Sequence, residues 1–238
     1  MLNQFSRTQI LIGQDGLNKL QNSSVAVFGI GGVGGYAVEA LARVGVGTIG
    51  LFDNDKICVT NINRQIIALH STVGQYKTDV AQKRVLDINP DIKVIKQNIF
   101  YSKETSYKID LSPFDYIIDA IDTVACKLEL VEHALRLNKK IISCMGAGNK
   151  LNASAFIVDD IFNTSVCPLC RVMRKELKNR GINSLKVVYS KEEPLKPYCI
   201  LEAEQKDTAR RQIPGSVSFV PSAAGLILAG EAVKELLL

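Results

Sequence analysis

Five glycines stand among the seven residues 29–35, directly between an apolar run, Val25-Ala-Val-Phe28, and a stretch in which Ala37, Val38, Ala40, Leu41 and Val44 recur at helical spacing. A strand that enters a glycine turn and leaves it as a helix is the start of a βαβ unit. Gly45 and Gly47 suit the helix stop, and Thr48-Ile-Gly-Leu-Phe52 reads as a second strand ending at Asp53. The unit takes about 30 residues, the smallest piece that forces two strands to lie parallel.

The alternation continues. A helix is predicted over 77–86, a strand over 93–99, a buried strand over 116–121, a helix over 127–137 and a strand over 140–144. Repeated strand-then-helix order predicts an α/β fold with a doubly wound, mostly parallel sheet of Rossmann type, whose sites lie at the carboxyl ends of the strands. Beyond Val158 the pattern loosens into a helix over 169–179, a strand over 185–189, and a tract broken by Pro194, Pro197, Pro214 and Pro221. The apolar tail from Val217 to Leu238 reads as a packed terminal helix. The expected organisation is a nucleotide-binding region over 1–160 and a small basic lobe over 161–238, continuous with it.

The chain has 238 residues, 47% hydrophobic and 22% charged, which excludes disorder or fibrous structure for its bulk. The apolar tail carries Glu231, Lys234, Glu235 and Pro221, so it is a poor membrane span. With no secretory leader evident, the six cysteines read as reduced thiols and the expected compartment is cytoplasmic. The net charge of +5 is modest, but residues 171–211 hold eleven Lys and Arg against six acids, so the entire excess lies there. A local excess of this kind attracts phosphates, although charge-rich helix faces are commonly just solvated.

Gly29-Ile-Gly31-Gly32-Val-Gly34 satisfies the G-x-G-x-x-G pattern in its proper context, after a strand and opening a helix, where backbone N–H groups and the helix dipole favour phosphate. Asp53, at the end of the second strand, lies at the distance where a carboxylate reaches a ribose hydroxyl. The fingerprint alone fits an NAD-dependent oxidoreductase. The residues that follow fit it less well: Asn61, Arg64, Gln65 and Lys77 add two cations and amide groups just past the second strand. Hydride transfer needs no such charge, whereas a triphosphate and a departing pyrophosphate do. Asp122, after the strand over 116–121, is placed to hold magnesium against the same phosphates.

Arg7, Gly29-x-Gly-Gly-Val-Gly34, Asp53-x-Asp55, Asn61-x-x-Arg64-Gln65, Val73-Gly74-x-x-Lys77, Ile88-Asn-Pro90 and Asp119-Ala-Ile-Asp122 together resemble, in order, the adenylating domain of the E1-like superfamily. The resemblance covers about residues 5–160 and implies an enzyme that uses ATP and Mg2+ to adenylate a carboxylate. It further implies that Gly29, Gly31, Gly32, Gly34, Asp55 and Gln65 belong to the nucleotide site, that Asp53 holds the ribose, and that Asn61, Arg64 and Lys77 hold phosphates. Asp122 would hold the metal. Arg7 would reach the ATP of a partner subunit, which implies a homodimer.

The second half bears on which carboxylate is activated. Activators of ubiquitin-like sulfur carriers often bear two C-x-x-C pairs for zinc, and this chain has one, Cys167-Pro-Leu-Cys170. Zinc with Cys199 and buried, inert thiols are both open readings of that pair. Asp160 to Leu177 and Val187-Val-Tyr-Ser190-x-Glu192 resemble instead the branch of tRNA threonylcarbamoyladenosine dehydratases, in which a modified adenosine in tRNA closes into a ring with net loss of water. That resemblance gives the basic segment a purpose, since phosphate contacts supply most sequence-independent RNA affinity. Arg171, Arg174, Lys175, Lys178, Arg210 and Arg211 are the candidate tRNA contacts. The segment over 214–219 lacks the cysteine that members of the branch can carry, so no thioester is expected there. His70 is a weak general-base candidate, and His133 reads as structural. A sulfur-carrier or sulfur-transfer protein remains the alternative partner, and a non-catalytic nucleotide-gated RNA-binding module the alternative outside enzymes.

Overall fold

The computed structural model describes residues 2–198 and 214–238. Cys199, Arg210 and Arg211 lie outside the described residues. A seven-stranded sheet runs in the order β3-β2-β1-β4-β5-β7-β6. Its strands are β1 (Ser24–Phe28), β2 (Thr48–Phe52), β3 (Lys93–Gln97), β4 (Tyr116–Asp119), β5 (Lys140–Cys144), β6 (Phe156–Asp160) and β7 (Lys186–Ser190). Six strands are parallel and β6 runs antiparallel to β7, with Val158 opposite Val188. The predicted doubly wound sheet is therefore present, and residues 156–190 add two strands to it.

Strands β1 and β4 are buried at every position, because helices cover both faces of a parallel sheet and no polar side of the strand meets water. On one face lie α2 (Gly34–Val44), α3 (Lys77–Ile88) and α6 (Phe219–Leu237), whose Leu41, Val85 and Leu228 share a core with Val25, Val27 and Ile118. On the other lie α4 (Val124–Arg136) and α5 (Pro168–Asn179), where Leu130, Met173 and Leu177 meet Phe28, Ile117 and Val187. Among the described residues no helix is long and apolar enough to cross a membrane.

Two elements went unpredicted. Helix α1 (Ser6–Gln21) is interrupted at Gly13, whose φ is 73°, and buries Leu17 and Leu20 while Ile10 and Leu11 stand 85% exposed. Its most apolar residues face outward, so no single apolar stripe marks it as a core helix. The edge strand β6 buries Phe156 alone and ends in Asp159 and Asp160, polar usage that suits an edge and hides the strand signal. The strand predicted over 116–121 stops at Asp119, and the following helix starts three residues earlier than predicted, at Val124. Residues 120–123 are thereby released into the loop at the crevice.

Candidate nucleotide site

Strand order reverses between β1 and β4, the place where a doubly wound sheet opens a crevice. The glycine loop sits in it. Gly29 has φ 85°, and a Cβ there would lie 2.7 Å from the Ala120 carbonyl oxygen; at Gly34 it would lie 1.8 Å from the Gly29 carbonyl oxygen. Only glycine lets the loop fold this tightly and lean on the β4 loop. Helix α2 begins at Gly34, so the positive end of its dipole points into the loop.

The predicted residues past β2 converge here. The Cγ of Arg64 would lie 3.4 Å from a Cβ on Gly32, and the Nε2 of Gln65 would lie 3.8 Å from one on Gly31. Gln65 is buried, and its Oε1 has no hydrogen-bond partner. Arg64 lies nearer the surface, its Nη1 donating to the Thr60 carbonyl (2.8 Å) and to Asn63 Oδ1 (2.9 Å). Asn61 is buried and accepts from the Cys58 amide.

Asp53 is 7% exposed at its side chain, and its carboxylate accepts from the amides of Ile30 (2.7 Å) in the glycine loop and of Asp55 (2.8 Å). Burial pushes the Asp53 carboxyl up, against the opposing pull of the Lys77 charge and these two amides. Lys77 heads α3; its buried Nζ lies 2.6 Å from Asp55 Oδ2 and 3.6 Å from Asp53 Oδ2. Asp53 and Lys77 thus brace the glycine loop against β2, and each keeps hydrogen-bonding capacity beyond these contacts.

At the end of β4 lies a buried assembly of which only Asp119 stands in a sequence motif. Asp119 and Lys127 are completely buried, with Nζ 2.9 Å from Asp119 Oδ2, and Ser143 Oγ donates to the same oxygen. Both partners also hold the backbone of one residue on its two sides: Lys127 Nζ donates to the Ile121 carbonyl (3.0 Å), and Asp119 Oδ1 accepts from the Ile121 amide (3.1 Å). The next residue is Asp122, which is exposed and accepts from Thr123 Oγ1. The signal for Lys127 was a lysine amid the apolar positions of a helix, Cys126, Leu128, Leu130 and Val131.

The C-terminal part closes the rim. Asn63 Nδ2 donates to the Ser216 carbonyl (2.9 Å), the Asn149 amide donates to the Gly215 carbonyl (2.8 Å), and the Gly215 amide donates back to Asn149 Oδ1 (2.6 Å). These partners are polar residues in loops far apart in the chain, which no local pattern reveals. On α5, Arg171, Lys175 and Lys178 are exposed at i, i+4 and i+7, one face of the helix. Arg174 is turned inward instead, donating to the carbonyl and hydroxyl of Thr164. Arg7 is exposed on α1, outside these contacts. His133 Nδ1 meets the Tyr101 hydroxyl at 3.0 Å, and its burial holds the imidazole below the usual histidine range.

The cradle fits a nucleoside triphosphate. It offers a loop that admits no side chain at Gly34, a helix N-terminus, two cations and an orphaned buried amide oxygen. No group of three or more potential metal ligands exists among the described residues. The exposed carboxylate of Asp122 suits Mg2+, which takes most of its ligands from phosphate and water.

Fold and crevice define a nucleotide-binding α/β protein of the doubly wound class. The chain belongs to the ThiF family, whose model matches residues 5–238. It is 44% identical over 246 residues to the tRNA threonylcarbamoyladenosine dehydratase of Bacillus subtilis, covering 100% of this chain and 96% of that one. The crystal structures of the E. coli tRNA N6-threonylcarbamoyladenosine dehydratase with ATP and with AMP superpose with TM-scores of 0.86 and 0.87, at 32% and 33% identity, each covering 98% of this chain and 93% of the other.

Proposed function

We propose that this protein is an ATP-dependent tRNA threonylcarbamoyladenosine dehydratase. The observation that carries the reading is the full-length likeness to enzymes of that name, at 44% identity to one and with a nucleotide bound in another. The crevice, with its cationic rim, is chemically suited to the task.

In this reading the substrate carboxylate attacks the α-phosphorus of ATP and pyrophosphate leaves. The substrate's own nucleophile then attacks the acyl-adenylate, the ring closes and AMP leaves, with a net loss of water. Intramolecular attack supplies roughly 7–11 kcal/mol of the barrier through effective concentration, so no enzyme nucleophile is needed. Arg64 and Lys77 stabilise charge on the phosphates, and the amides at the start of α2 hold one of them. Lys77 shifts from Asp55 to a phosphate when the nucleotide enters. Asp122 would hold Mg2+, which when bound neutralises phosphate charge. Asp53 takes a ribose hydroxyl on its remaining lone pairs while bracing Ile30.

The basic face of α5, Arg171, Lys175 and Lys178, contacts the tRNA backbone, with Arg210 and Arg211 as further contacts. A homodimer forms over α1, where Ile10 and Leu11 stand exposed beside Arg7. Charging that face with Ile10→Glu plus Leu11→Glu is expected to give a monomer in sedimentation; an unchanged dimer would place the interface elsewhere. The compartment is the cytoplasm.

The test is incubation with ATP, Mg2+ and tRNA bearing threonylcarbamoyladenosine, followed by nucleoside mass analysis. Loss of one water from the modified adenosine is the expected result. An unchanged nucleoside beside brisk ATP–pyrophosphate exchange with a small sulfur-carrier protein would reassign the substrate.

A further inference from the structure

Lys150 has no part in the chemistry above, yet the fold buries it without a countercharge. It stands in the loop that leaves β5, Met145-Gly-Ala-Gly-Asn-Lys150, at the carboxyl edge of the sheet. A lysine at such an edge ordinarily runs its stem over the surface and keeps its ammonium in water. Lys150 is only 4% exposed.

Its neighbours leave the ammonium short of partners. Nζ donates to the Glu192 carbonyl, one acceptor for a group with three donors. The Glu192 carboxylate is engaged elsewhere, accepting from the amides of Leu151 and Asn152 at 2.9 Å each. Three lysines are buried among the described residues, and the other two each meet a carboxylate, Lys77 at Asp55 (2.6 Å) and Lys127 at Asp119 (2.9 Å). Lys150 forms no ion pair among the described residues. Buried charges are costly unless paired, so its missing partner points to an anionic ligand.

The position of the loop indicates which ligand. β1 and β5 flank β4, so the glycine loop and the Lys150 loop stand on either side of the β4 end, while Asp53 lies beyond β1 at the end of β2. A nucleotide with its ribose at Asp53 and its phosphates on the glycine loop leaves the β5 side to the second substrate. The Lys150 loop is also fixed there: the Asn149 carbonyl accepts from the Leu195 amide (2.8 Å), and Asn149 is tied to Gly215 beside the Asn63–Ser216 contact. One hydrogen bond holds Nζ, and its flexible four-carbon stem lets it swing to an incoming anion.

We propose that Lys150 binds an oxyanion of the substrate RNA, the carboxylate to be activated or a phosphate beside it. The source of the anion rests on the dehydratase reading; the unmatched ammonium does not.

The experiment compares Lys150→Met with the wild-type protein. In urea the variant should stay close to wild type, and a loss as large as that from removing a carboxylate-paired buried lysine would make the ammonium structural and overturn the proposal. In sodium acetate against sodium chloride at equal ionic strength, the thermal midpoint should rise more for wild type than for the variant; equal responses would overturn it. This arm needs neither RNA nor turnover, so it decides the point even where no nucleoside is dehydrated and the dehydratase reading falls. Affinity for tRNA bearing threonylcarbamoyladenosine should drop roughly 10–100-fold in the variant, the loss expected for one charge-assisted hydrogen bond. A drop confined to the modified tRNA assigns the carboxylate, an equal drop for the same tRNA with plain adenosine assigns a phosphate, and unchanged affinity for both would overturn the proposal.

Discussion

Lys127→Met is expected to destabilise the protein by about 3–5 kcal/mol, the loss typical of removing one member of a buried ion pair. Asp119 and Lys127 are both fully enclosed, so the substitution leaves a carboxylate with no countercharge and with Ser143 and the Ile121 amide as its remaining donors. Urea denaturation of the variant measures the effect. Adding Asp119→Asn should recover most of it, because the penalty arises from the stranded charge rather than from a loss of attraction. The double variant should still turn over slowly: without the Lys127 ammonium the Ile121 carbonyl loses its donor, and Asp122 follows directly on that carbonyl. A single variant as stable as wild type would show that Asp119 takes up a proton at little cost, and the pair would lose its structural role.

The second large effect falls on chemistry. Arg64→Ala is expected to lower ATP–pyrophosphate exchange with saturating tRNA by roughly 10²–10³-fold, the range for removing one preorganised donor from a developing anion. The contacts that Arg64 gives up are one carbonyl and one amide oxygen in a surface loop, so the thermal midpoint should stay close to that of wild type. Full exchange activity in a folded variant would remove Arg64 from the site. Lys77→Ala is a poorer probe, since it also unpairs Asp53 and Asp55 and weakens the brace on Ile30.

Much of this architecture was legible in the sequence. β1, β2, α2 and β5 declare themselves because each is a short run dominated by burial, bounded by glycine or a charged residue. Helix α1 and strand β6 do not, because one points its largest apolar side chains at solvent and the other is an edge with acids at its end. The same division runs through the site. Arg64, Gln65 and Asp53 were found from their positions after strand ends, and the structure brings all three to the glycine loop. Arg174 was counted with the basic face, but Thr164 draws its guanidinium inward, which charge counting cannot foresee. Lys127 was overlooked because a helical lysine is ordinarily read as solvated. The Asn63–Ser216 and Asn149–Gly215 contacts depend on loops brought together from distant parts of the chain, and that information exists only once the sheet is assembled.

The C-terminal helix lies directly against the glycine loop. A Cβ on Gly32 would come within 3.3 Å of the Pro221 ring, and one on Gly225 within 2.2 Å of the Val33 carbonyl oxygen. During synthesis the loop at residues 29–34 leaves the ribosome with the first strand, but the surface that sets its shape emerges only after all seven strands. Strands β1 to β5 can begin to collapse on the nascent chain, whereas a finished nucleotide cradle has to wait until α6 has been made. Competence to bind ATP should therefore arise in one late step, and chains cut short before α6 would reach the cell as folded-looking sheets with no working site.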